Sequence, residues 1–197
     1  MSYKIYQTEG FVVSNKALKE EDAVFSVLTP DLGLIWVNAK SVRSMRSKLK
    51  PHLTTYSHIE LSLVRGKEAW RVITAQKVFS AREFLDSEKK RLSIARVFQL
   101  VNRLIAGESE NHDLFLSLVS FTRALSLIDP NDMESLKNYE AVMVLRLLNH
   151  TGYLEEVPIL KTFTASDSWE SSFVRAIAPL QKTAIKTINE SFNASQL

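Results

Sequence analysis

The sequence predicts an α+β chain of two domains: an N-terminal five-stranded OB-type β-barrel over residues 1–82, then an all-α helical domain over 83–197. Three observations predict it. Apolar residues alternate with polar ones through the first part of the chain, as in half-buried strands. Beyond it, the spacing changes to the helical period. The cations also concentrate early, with 13 Lys and Arg against 8 Asp and Glu in residues 1–85, and 12 against 14 in the remainder.

Each strand has its own signal. Ile5–Leu18 reads as a long opening strand bent near Gly10, where glycine permits a bulge. Ala23–Thr29 is rich in Val, Phe and Leu and stops at the turn cluster Pro30-Asp31-Leu32-Gly33. Leu34–Ala39 resumes as a strand. Within Tyr56–Arg65, Ile59, Leu61 and Leu63 alternate with His58, Glu60 and Ser62. Trp70, Val72 and Thr74 alternate with Arg71 and Ile73 across the turn Arg65-Gly66-Lys67-Glu68, which suggests a hairpin. Five short sequential strands suit a small barrel, with an SH3-like barrel as the rival to the OB type.

Four helices are expected after the boundary, which is placed near Ala81–Ser87. The first spans Glu88–Ala106, with Leu92, Ala95, Val101, Leu104 and Ile105 as its stripe, Ser87 or Asp86 as its cap and Gly107 just past its end. The second spans Asp113–Ile128 and is ended by Pro130. The third spans Met133–His150, with Asn131 and Glu134 spaced like a capping box. The last spans Ser168–Phe192, with Asp167 and Glu170 similarly spaced and a break expected at Pro179. Residues 154–168 form a weakly patterned connection.

Several function classes are excluded. There is no cysteine, so this chain has no disulfide, thiolate zinc site or cysteine nucleophile. His52, His58, His112 and His150 are scattered without ligand spacing, and five glycines form no phosphate-cradling loop. No cofactor, metal or enzymatic activity is expected. With no apolar leader and no long apolar run, the chain reads as soluble and cytoplasmic.

The informative segment is Lys40–Pro51. It carries Lys40, Arg43, Arg46, Lys48 and Lys50, and no acidic residue occurs from Leu32 through Ile59. A loop of this charge can neutralise several phosphates, and its serines can donate to phosphate oxygens; a solvated basic loop would look the same. Single-strand binders add exposed rings on which bases stack, and Trp36 and Tyr56 are the candidates, although rings on strands more often fill cores. On the first helix, Lys89, Lys90, Arg91 and Arg96 form a second, weaker basic cluster, which reads as a solvated helix start ahead of a site for an acidic partner.

Several strings, in order, resemble the RecO family of DNA repair proteins. Thr8-Glu9-Gly10-Phe11-Val12-Val13 is similar to the family's opening strand, and Leu28-Thr29-Pro30-Asp31-Leu32-Gly33 to its Leu-Thr-Pro-x-x-Gly turn. Ala39-Lys40-Ser41 with Arg43-Ser44-Met45-Arg46-Ser47 stands where the family has Ala-Lys-Gly and a basic stretch. Leu61-Ser62-Leu63-Val64-Arg65-Gly66 and Leu148-Asn149-His150-Thr151-Gly152-Tyr153 follow. The resemblance implies an OB barrel with a helical domain, binding and annealing of single-stranded DNA, and help in loading RecA, with RecR, single-strand-binding protein and RecA as partners. Two departures stand out: Ser41 replaces the family's glycine, which predicts a different turn, and the four-cysteine zinc module of many members is missing, leaving a short member without metal. A generic OB-fold RNA-binding protein and a protein-interaction module without nucleic acid are the alternatives.

Overall fold

The computed structural model describes residues 4–67, 69–80, 87–105, 107–155 and 157–194. The chain divides into two compact units, Met1–Phe84 with Ile105–His112, and Leu85–Leu104 with Asp113–Leu197. The expected boundary at 82/83, the cap candidate Asp86 and the turn residue Glu68 lie outside the described residues.

The first unit contains β1 (Ile5–Ala17), β2 (Ala23–Thr29), β3 (Gly33–Ala39), β4 (Ser57–Arg65) and β5 (Trp70–Ser80). They close a barrel in the order β1-β2-β3-β5-β4. All neighbours are antiparallel except β3 and β5, which meet in parallel through Val37 with Trp70 and Asn38 with Arg71. This is the OB-type barrel, and it disposes of the SH3-like rival. Period-two alternation sends Val27, Ile35, Val37, Ile59, Leu61 and Leu63 into one core.

The bulge expected at Gly10 lies further on, where the β1–β2 register shifts between Val12 and Ser14. Gly10 serves close approach instead, since a Cβ there would stand 2.6 Å from Val27 Cγ1 and 2.9 Å from the Leu28 carbonyl oxygen. His58 also departs from the alternation pattern. It is buried, with Nε2 2.7 Å from Glu9 Oε2 and its ring stacked on Phe11.

Residues 107–111 form a strap on the barrel that the sequence pattern does not announce. The Leu34 N–H donates to the Gly107 carbonyl (3.2 Å) and the Asn111 N–H to the Pro30 carbonyl (3.0 Å). The Glu108 carboxylate accepts from Arg65 Nη1 (2.5 Å) and from the indole N–H of the buried Trp70 (3.2 Å). Gly33 makes room for the strap: its φ is +65°, and a Cβ there would lie 2.4 Å from the Ser109 carbonyl oxygen. Gly107 therefore acts in the strap, with φ +81°, as well as ending the preceding helix region.

The second unit contains α1 (Glu88–Leu104), α2 (His112–Leu127), α3 (Met133–His150), α4 (Lys161–Ala165), α5 (Ser171–Arg175) and α6 (Gln181–Ala194). Helices α1, α4, α5 and α6 pack on α3. The buried stripe of α1 runs through Ile94, Val97, Phe98, Val101 and Leu104; Leu92, expected within it, is 49% exposed. Ser87 caps α1, its Oγ accepting from the Lys90 N–H. The cap of α3 is Asp132, not Asn131, because the Asp132 carboxylate accepts from both the N–H and the hydroxyl of Ser135. Those bonds hold the Asp132 carboxyl below its ordinary range. The last helix is broken at Pro179 as expected, by a 3₁₀ turn over Ala178–Leu180. The Asp167–Glu170 capping box does not form, and Glu170 precedes α5 without a side-chain cap.

The weakly patterned connection owes its shape to Arg146 of α3. This side chain is 1% exposed; its Nε donates to the Phe163 carbonyl (2.9 Å), its Nη2 to the Ser168 carbonyl (2.9 Å), and its guanidinium lies 4.4 Å from the Trp169 ring centroid. Burial lowers its pKa to about 10, still charged at neutral pH.

Two substitutions test these supports by chemical denaturation. Gly33→Ala should destabilise the protein by about 1–3 kcal/mol through left-handed strain, before the clash with Ser109 is added. Arg146→Met should cost on the order of 3 kcal/mol, because one buried and one part-buried carbonyl lose their donor.

Candidate nucleic-acid interface

The connection between β3 and β4 meets two demands at once. Its apolar residues face inward: Val42 and Leu53 are buried in the barrel core and Leu49 packs against it. Its cations face outward: Lys40, Arg43, Arg46, Lys48 and Lys50 are all exposed, as is Met45. The five cations named from the sequence thus come together on one solvent-facing segment, plugged into the end of the barrel.

The segment is a chain of turns fixed at both ends. At its start, the Ser41 N–H donates to Asp22 Oδ1 (2.8 Å), the Arg43 N–H to the Glu21 carbonyl (2.9 Å), and Arg43 Nη1 to the Lys19 carbonyl (3.0 Å). Ser41 adopts φ +49°, so serine occupies a left-handed position of the kind glycine favours. The Asp22 carboxylate holds it there. At the other end, Tyr56 has φ +66° and its N–H donates to the Val12 carbonyl (2.7 Å). Between them, Asn15 Nδ2 donates to Thr55 Oγ1 (2.9 Å) and the Lys77 N–H donates to His52 Nδ1 (3.1 Å). A neutral His52 accepting at Nδ1 carries its proton on Nε2.

Trp36 is 51% exposed on the outer face of β3. Lys40 continues that face, roughly 13 Å along the strand direction at 3.3 Å per residue. Across the parallel pair, the exposed Arg71 of β5 stands opposite Asn38, between them in register. Arg71 is a cation that the sequence reading did not single out. Its outward position was legible from the alternation of Trp70, Arg71 and Val72, but its place beside β3 depends on a parallel pairing with no local signal. Tyr56 is half-buried, and burial pushes its phenol pKa up. It is a pivot of the loop more than an open stacking platform.

The cluster on α1 comes apart. Lys90 is 1% exposed and its Nζ donates to the Ser126 carbonyl (3.2 Å), so it offers no surface charge. Arg96 is bound fork to fork by Glu140, at 2.6 Å for both Nε–Oε1 and Nη2–Oε2, and the bond to Glu140 raises its pKa. Lys89 and Arg91 remain exposed. Among the described residues, no group of three or more His, Cys, Asp or Glu could hold a metal ion, and no helix is long and apolar enough to cross a membrane.

Residues 1–81, which include the whole barrel and its basic segment, match the family model described as Recombination protein O N terminal. Over 152 residues the chain is 33% identical to DNA repair protein RecO of Dehalococcoides mccartyi, covering 77% of this chain and 58% of the relative. The chain is similar to the RecO family over about three quarters of its length. Roseiflexus sp. has a DNA repair protein RecO 30% identical over 78% of this chain and 52% of its own length. For the RecO of Clostridium acetobutylicum the figures are 26%, 76% and 59%. The chain thus spans between half and three fifths of the length of these relatives.

The Asp22 clasp can be tested alone. Asp22→Ala should cost about 1 kcal/mol of stability and speed amide hydrogen exchange at Ser41 and Arg43, leaving exchange in α3 unchanged.

Proposed function

We propose that this chain is a non-catalytic, RecO-type recombination mediator that binds and anneals single-stranded DNA, with the barrel as its DNA-binding unit. One observation carries the reading: five exposed cations stand on an acid-free segment locked to the barrel end, beside an exposed tryptophan. Lys40, Arg46 and Lys48 hold phosphates; Trp36 offers a face for base stacking, worth about 1–3 kcal/mol per base; Arg71 extends the track onto β5. Neutralising two complementary backbones lets them approach and pair. The similarity to DNA repair proteins supports DNA repair as the setting. In that setting the protein helps load RecA on strands coated with single-strand-binding protein, together with RecR, and works in the cytoplasm. The helical unit docks these partners, with the exposed Lys89 on the side that meets an acidic tail.

The test is fluorescence anisotropy of labelled single-stranded DNA across a salt series, for wild type and Lys40/Arg46/Lys48→Ala. Wild-type affinity should fall with salt with a log–log slope of about −0.7 per phosphate contacted, and the triple variant should flatten it by about two units, as for three lost contacts. An unchanged slope would remove the segment from the site. Absence of wild-type binding at low salt would overturn the DNA-binding reading. A matched RNA oligomer that outcompetes the DNA would favour an RNA-binding function instead.

A further inference from the structure

The basic segment does more than present charge: it walls a cavity. A recess of about 400 Å³ opens between the segment and the β1–β2 hairpin, lined in part by Asn15, Phe25, Val42, Arg43, Lys50 and Leu53. That volume falls within the range of small-ligand sites, about 300–1,000 Å³. Phe25, Val42 and Leu53 are each 3–5% exposed and belong to the barrel core, so the recess has an apolar floor. Arg43 and Lys50 supply two cations at its wall.

Two of the polar side chains are set before any ligand arrives. Arg43 is tethered through its backbone N–H and its Nη1, which leaves four of its five guanidinium N–H donors for another partner. A tethered arginine loses little rotamer freedom on binding an anion. Asn15 has its amide turned by the bond from Nδ2 to Thr55 Oγ1, which leaves Oδ1 as an acceptor. An apolar floor, a fixed amide acceptor and paired cations together suit a flat heterocycle with N–H donors carrying a phosphate.

We propose that this recess is a nucleotide pocket that takes one unstacked nucleotide of the bound strand. Its base lies on the floor of Phe25, Val42 and Leu53, its phosphate meets Arg43 and Lys50, and Asn15 Oδ1 accepts a hydrogen bond from the base. The inference rests on the reading of the barrel as a nucleic-acid binder and adds to it. A base held in a duplex cannot enter without being flipped out at a cost of a few kcal/mol. The pocket therefore supplies preference for single strands, which the charge of the segment alone does not.

The experiment uses oligonucleotides with one 2-aminopurine, whose fluorescence is quenched by stacking in the strand and rises when the base leaves it. Wild type and Ala17→Phe are compared on single-stranded DNA, its RNA counterpart and the matched duplex. Ala17 lines the recess and is exposed, so a ring there fills space without removing a cation or a core side chain. Wild type should brighten the single strand. Ala17→Phe should abolish that rise and weaken single-strand binding roughly tenfold, the size of one lost base contact, with duplex binding unchanged. Brightening with DNA, RNA or both states which polymer supplies the nucleotide. A wild type that binds the strand without brightening it overturns the pocket and leaves the barrel reading standing, and this arm needs no variant to fold. Equal brightening by Ala17→Phe also overturns it. Failure of wild type to bind either strand defeats the barrel reading itself.

Discussion

The open end of a five-stranded barrel has to be closed, and in this protein the closing segment is also its most basic one. Val42 and Leu53 fill the end of the core, while the residues between and beside them turn five cations to water. Burying the apolar positions fixes the backbone, and a fixed backbone fixes where the charges stand. Without that plug, the cations would sit on a loop whose ordering entropy any bound anion would have to overcome. With it, the cost is met during folding.

The same economy recurs at the edges of the segment. Ser41 and Tyr56 both stand in left-handed backbone conformations that non-glycine residues rarely adopt. Each is held through its own N–H, which donates to the Asp22 carboxylate in one case and to the Val12 carbonyl in the other. The strap over residues 107–111 follows the same logic. Its close approach requires Gly33, and Glu108 gives the buried Trp70 indole a hydrogen-bond partner. At Ser41 and Tyr56 a backbone in an unfavourable region is kept there by surroundings that over-determine it.

Much of the fold was legible because it is local. Strand alternation, the Pro-Asp-Leu-Gly turn and the break at Pro179 follow from residue types within a few positions, and they place the elements closely. The basic segment was legible for the same reason, since a run without acids needs no structure to be seen. What was not legible is non-local. The parallel pairing that brings Arg71 beside Trp36, the return of residues 107–111 to the barrel, and the recess walled by Asn15, Phe25 and Lys50 depend on residues far apart in the chain. The α1 cluster shows the converse. Four cations close in sequence suggested one surface, but helical geometry turned Lys90 inward onto the Ser126 carbonyl, and Glu140 of α3 took Arg96. Capping was misjudged by a single residue because Asn131 and Asp132 are both good caps, and only the backbone decides between them.

The proposed function requires the barrel end, and not the helical unit, to hold the strand. The most direct measurement is photo-crosslinking of a single-stranded oligonucleotide to the whole protein, with the adducts located by peptide mass spectrometry. The account predicts adducts at Trp36 and within residues 40–56, lost when salt is raised. Adducts confined to the helices of the second unit would contradict it.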